Sequence, residues 1–142
     1  EIPLRLVGSE MCIRDSWQIA PLMLAIAGRW IDEGSAERKL AWQREEVQQR
    51  WRLAQRLLGA AMRPGTPSPH VWLEGPRPGD ELAAACRARG VEVVPAQVFA
   101  VKQGQLPAIR ISLTAARSRA ELKQALERVA RVLEEFSEQD PG

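Results

Sequence analysis

The stretch from Ser118 to Phe136 constrains this chain more than any other. Ser118 and Glu121 stand in an S-x-x-E arrangement, the capping box that satisfies the free amides at a helix start. Behind it Leu122, Leu126, Val129, Leu133 and Phe136 recur at spacings of 4, 3, 4 and 3. That is one face of a helix, and such a face has to be buried against another element. The run just before it, Ala108 to Leu113, alternates and contains Ile109 and Ile111, which predicts a strand. The chain must therefore lay its last helix on a sheet.

The rest of that sheet is sought upstream. Arg63 to Pro69, RPGTPSP, is a loop by its proline and glycine content. His70 to Leu73 is a short apolar run, read as a strand, and Glu74 to Gly79 is a turn. Asp80 is read as the cap of a helix that ends at Gly90. Val91 to Val94 is a β-branched strand stopped by Pro95, a further strand is expected around Val98 to Val101, and Lys102 to Pro107 make a turn. The order strand, helix, strands, helix predicts a small α+β sandwich of three or four strands under two helices. No internal repeat is seen.

Before this unit the pattern is helical. Ile19, Leu22, Met23, Ile26, Trp30 and Ile31 follow the three-and-four spacing of one helix face. Pro21 fits only a first turn, and Gly34 fits a C-terminal cap. Ser35 is placed to cap the next helix, with Glu37 in its first turn. Leu40, Val47, Trp51, Ala54 and Leu58 then predict one long amphipathic helix over 36–60. Helices of that length often bridge domains, and a coiled coil would also fit.

The first sixteen residues, EIPLRLVGSEMCIRDS, show neither period. Their VGSEMCIRDS portion resembles the translated read-through of sequencing-adapter DNA. Residues 1–16 are accordingly read as a non-native leader, 17–60 as the end of a large domain with its bridging helix, and 61–142 as a small domain. The alternative is a native, poorly ordered terminus. At 45% hydrophobic and 27% charged residues the chain reads as one soluble domain. No run reaches the roughly 18 apolar residues of a membrane helix.

The formal charge is +2. Basic residues alternate with acidic ones along helices, as in Glu45, Glu46, Arg50, Arg52 and Arg56, which reads as a solvated face rather than a nucleic-acid patch. Cys12 and Cys86 lack redox or metal spacing. Cys86, among alanines, is read as a small core residue, and the cysteine usage fits a reducing cytoplasmic setting. The sole histidine, His70, abuts a strand without a nucleophile nearby and is read as a strand-edge residue. Tryptophans at 17, 30, 42, 51 and 72 are read as packing residues, or as marks of an interface. No catalytic group, P-loop or metal-ligand spacing is found.

Arg110 stands out. It lies inside the apolar strand PAIRISL, and alternation puts it on the face opposite Ile109 and Ile111. It is either an exposed arginine on the solvent face or a binder of carboxylate, whose two oxygens match a guanidinium with parallel hydrogen bonds.

The order of these segments carries a resemblance. The run SWQIAPLMLAIAGRWIDEGSAERKLAWQREEVQQRWRLAQRLL resembles the end of the large domain and the bridging helix of fold-type-I pyridoxal-phosphate (PLP) aminotransferases. It looks closest to the MocR branch, transcription regulators in which a GntR-type winged helix precedes an aminotransferase-like domain. HVWLEGP, DELAAACRARGVEVVPAQVFAV and AIRISLTAARSRAELKQALERVARVL look like that family's small domain, in the same order. The resemblance implies that Arg110 binds the α-carboxylate of an amino-acid substrate or effector, and that Phe99 neighbours the substrate site. It implies PLP in the parent, a homodimer, and contact with DNA only through a missing N-terminal domain. The family often has glycine after the proline of the second strand; this chain has Ala96.

The family needs a Schiff-base lysine. Lys39, Lys102 and Lys123 are the only lysines, and none lies in the family's serine- and glycine-bearing context. The resemblance therefore implies no catalytic or cofactor-binding residue in this chain, which alone should be inactive. Three readings stay open: a regulator fragment, a fragment of a genuine transaminase, and a free-standing small ligand-binding or interaction domain that requires residues 1–16 to be genuine.

Overall fold

The computed structural model describes residues 20–101, 104 and 106–139. The leader 1–16, Cys12 and Trp17, and Lys102 in the expected turn, lie outside them. The chain divides into two compact units between Trp42 and Gln43.

Helix α1 spans Pro21–Asp32, with the proline in its first turn. None of its residues is buried. Leu22, Met23, Trp30 and Ile31 are exposed and Ile26 is half-buried, so the apolar face read from the sequence is mostly uncovered among the described residues. Gly34, at φ 68°, ends the helix as expected. Helix α2 spans Ser35–Leu58 and runs across the division between the units. Ser35 is not its cap. It is already helical, the Gly34 carbonyl accepts the first helical bond from the Arg38 amide, and the Ser35 hydroxyl accepts from Arg38 Nη2 instead.

The second unit holds the sheet. Strands β1 (His70–Glu74), β2 (Val94–Pro95) and β3 (Ala108–Ser112) lie in the order β1-β3-β2, antiparallel throughout. Helix α3 is Gly79–Ala88 and helix α4 is Arg119–Gln139. The α+β sandwich is thus present, with three strands. One face of β1 and β3, made of Val71, Leu73, Ile109 and Ile111, joins Leu82 and Cys86 of α3, Leu122, Leu126, Val129, Val132 and Leu133 of α4, and Trp51, Ala54 and Leu58 of α2 in one buried cluster. Each large apolar side chain of this kind contributes about 1.5–3 kcal/mol by leaving water. The Ser118 hydroxyl accepts from the Glu121 amide, as the capping box requires, while the Glu121 carboxylate reaches one residue further back, to the Arg117 amide.

Three expected features differ. Asp80 is not a cap but a first-turn acid in a helix that begins at Gly79. The strand at Val91 to Val94 shrinks to Val94–Pro95. The Val91 amide closes the end of α3 on the Cys86 carbonyl, with Gly90 at φ 74°, so it is spent on a helix cap rather than on a ladder. Pro95 does not stop the strand but belongs to it, which an edge position allows. The strand at Val98 to Val101 is instead a 3-10 helix, Ala96–Phe99. Its backbone bonds are made within the turn, as in Ala100 N–H to the Gln97 carbonyl.

Arg50 corrects the reading of α2 as a solvated face. It is 7% exposed. Its Nε donates to Glu46 at 2.7 Å, and its Nη1 donates to the carbonyls of Leu113 at 2.7 Å and Ala116 at 2.9 Å. Glu46 also accepts from Arg119 Nη2 at 2.6 Å. A buried charge persists only when paired and hydrogen-bonded in this way. The Arg119 and Arg50 guanidinium groups hold the Glu46 carboxyl down to about 2 from an ordinary 4.5, against the opposing effect of burial.

A carboxyl depressed on folding stabilises fully above its unfolded value and loses that contribution as pH falls through its folded value. Denaturant midpoints should therefore fall as pH drops from about 4.5 towards about 2, and Glu46→Gln should flatten that slope. Arg50→Ala strands two carbonyls and should cost roughly 2–4 kcal/mol by urea denaturation at pH 7.

Candidate functional site

The face of the sheet opposite the core carries the remaining signal. β3 is the central strand, so residue 110 has a partner on each side: Trp72 of β1 and Val94 of β2. Alternation sends Ile109 and Ile111 into the core and Arg110 to the other face, where it is half-buried. The 3-10 helix that replaces the expected strand delivers Phe99 to the same place. The Arg110 guanidinium carbon lies 4.2 Å from the Phe99 ring centroid. The Phe99 ring in turn meets Trp72 edge-on, with centroids 5.5 Å apart and planes at 80°.

The two residues expected at the site are therefore together, in a row of contacts from Arg110 to Phe99 to the edge-on Trp72. The sequence reading groups Trp72 with the packing tryptophans and does not place it here. The signal that could have found it is the cross-strand register, which the hydrophobic pattern alone does not supply between strands so far apart in sequence.

Arg110 Nε is buried and has no hydrogen-bond partner. Among the described residues no carboxylate pairs with this guanidinium. A partly dehydrated cation without a counter-charge is costly. The Phe99 ring offsets part of that cost through its negative face. Of the guanidinium nitrogens only Nε is buried without a partner, which leaves the two Nη groups as the donors for a carboxylate with two parallel bonds.

The approach of the chain to this face is tight. The Gly79 amide donates to the Leu106 carbonyl at 2.9 Å. A Cβ at Gly79 would lie 2.2 Å from the Ala108 carbonyl oxygen and 3.0 Å from Gln97 Oε1. Only glycine lets the start of α3 sit against the entry of β3. Ala96, where the resembling family often has glycine, is buried at the start of the 3-10 helix without positive φ.

The other candidates fall elsewhere. His70 is exposed at the first position of β1. Cys86 is buried in the core, and burial pushes its thiol up to about 11. Trp51 is buried, whereas Trp30 and Trp42 are exposed. Lys39 sits over the Trp42 ring at 4.0 Å, and Lys123 pairs with Glu127 at 3.6 Å. Among the described residues no group of acids, histidines and cysteines could hold a metal ion, and no helix is long and apolar enough to cross a membrane.

No protein-family model and no curated protein matches the chain. Solved structures do. MppP, soaked with the product 2-ketoarginine, is similar at TM-score 0.68 and 21% identity, over 83% of this chain and 35% of that one. The multiple substrate aminotransferase of Thermococcus profundus is similar at TM-score 0.67 and 19% identity, over 82% of this chain and 30% of that one. LysN, the alpha-aminoadipate aminotransferase of Thermus thermophilus, complexed with N-(5'-phosphopyridoxyl)-L-leucine, matches at TM-score 0.63 and 23% identity, over 79% of this chain and 30% of that one. The fold is aminotransferase-like. This chain spans about a third of the length of the proteins it matches.

An arginine kept for a ligand rather than for packing has a stability signature. Arg110→Ala should change the folding free energy by less than about 1 kcal/mol, the worth of one partly exposed cation–π contact. Ile109→Ala on the same strand should cost about 2–5 kcal/mol. Urea titrations of both variants measure the contrast.

Proposed function

We propose that this chain is the bridging helices and small domain of a larger, PLP-dependent aminotransferase-like protein, and that Arg110 holds the carboxylate of its amino-acid or amino-acid-like ligand. The observation that carries this reading is the half-buried Arg110 guanidinium, stacked on Phe99 and unpaired among the described residues. The aminotransferase-like fold supports it. A ligand carboxylate would lie in the guanidinium plane, fixed in orientation by two hydrogen bonds, with Phe99 beside it.

The pyridoxal group would supply the electron sink for amino-acid chemistry when bound. The described residues of this chain do not fit it. Lys39 and Lys123 are exposed helix residues, one over Trp42 and the other paired with Glu127. The cofactor's contacts are assigned to the rest of the parent, and with them any transamination.

Between the two parents, the bridging-helix sequence over Trp17 to Leu58 favours the MocR-type regulator. In that reading the small domain senses an effector in the cytoplasm, and a fused winged helix in a homodimer contacts DNA. A genuine transaminase is the second reading.

The source DNA read upstream of Trp17 should continue into a domain with a PLP lysine, and further upstream into a winged helix. A transaminase parent would lack the winged helix. A genuine start signal ahead of residues 1–16 as written would sink the fragment reading. In the parent, Arg110→Ala should weaken the ligand by roughly 10- to 100-fold, the worth of a charge-assisted hydrogen-bond pair. Arg110→Lys should not restore it, because an ammonium cannot make the bidentate contact.

A further inference from the structure

The geometry points to a ligand of one class: a monocarboxylate whose remaining body is apolar, best of all aromatic. This rests on the carboxylate reading of Arg110 and adds what surrounds it.

The neighbours that the strand register and the ring contact give the guanidinium are apolar. Its two ladder partners are Trp72 and Val94, and the ring against it is Phe99. Phe99 is 44% exposed although the edge of Trp72 braces it. Val98, next to Phe99 in the 3-10 helix, and Leu106, two residues ahead of β3, are also exposed. An apolar group brought in with the carboxylate would cover surface that is otherwise wet. Burying such surface is favourable in proportion to its area, and a ring that meets another ring edge-on or offset gains further.

Among the described residues, the β1 and β3 rows offer a second carboxylate nothing comparable. On this face of the sheet the other ionisable side chains in the β1 and β3 rows are His70, opposite Ser112, and Glu74, opposite Ala108. Glu74 would repel an anion, and Arg63 is already engaged with it at 3.0 Å. A dicarboxylate would leave its second charge over Trp72, Phe99 or Val94, where desolvation without a partner is costly.

The test is a titration of the full 142-residue chain at pH 7 and constant ionic strength with acetate, phenylacetate and glutarate. The probe is the ¹H–¹⁵N signal of Arg110 Nε, assigned by its loss in Arg110→Lys. Phenylacetate should saturate that signal at roughly 2- to 10-fold lower concentration than acetate, the gain expected of one aromatic contact, and glutarate should do no better than acetate. In Phe99→Ala the ratio of phenylacetate to acetate affinity should fall towards one. Equal affinity for acetate and phenylacetate, tighter binding of glutarate, or a ratio untouched by Phe99→Ala would overturn the inference while leaving the carboxylate reading in place. If none of the three acids moves the Arg110 signal, the carboxylate reading itself fails.

Discussion

The constraint on which the second unit depends is the two-residue period of β3. As the central strand it is paired on both edges, so neither its register nor its facing can slip without turning the core outward. Ile109 and Ile111 are held inward by the helices, and that alone decides that Arg110 faces the other way. The core and the candidate site are thus one decision made twice, once on each face of a five-residue strand.

What keeps that strand in place at its far end is polar. Leu113 follows β3 directly; its amide bonds the Pro69 carbonyl ahead of β1, and its own carbonyl is held by Arg50 of α2. The buried guanidinium is satisfied by Glu46 and by two carbonyls of the turn, and Arg119 at the start of α4 shares the same carboxylate. Helix α2, the end of the central strand and the first turn of α4 therefore meet in a single hydrogen-bonded cluster. Its strength depends on Glu46 being ionised. By contrast the surface pairs, such as Arg87 with Glu92, are exposed and belong to a class worth little.

Arg50 and Arg110 show how the same residue type is used in two ways. Arg50 has its carboxylate and carbonyl partners within the chain, so it is structural. Arg110 has a phenyl ring in contact and no anion among the described residues. Its charge is unmet among those residues, and the proposed ligand carboxylate would answer it. A fold shared with aminotransferases does not by itself assign a reaction; the functional assignment stands on this one side chain and its setting.

Local side-chain spacing was enough for the elements with strong period or strong chemistry. The last helix and its cap, the strand of Ile109 and Ile111, the proline start of α1 and the outward facing of Arg110 all follow from neighbours in sequence. Whatever depended on a distant partner was settled only by the fold. Val91 to Val94 has the composition of a strand, but its first amide is used to close α3. Val98 to Val101 has β-branched residues, yet the chain turns there to bring Phe99 under Arg110. Arg50 and Arg110 cannot be told apart by the residues beside them. Folding brings two carbonyls from 63 and 66 residues away to one of them and an aromatic pair to the other, because desolvation and long-range hydrogen bonds are set by what packs against a side chain.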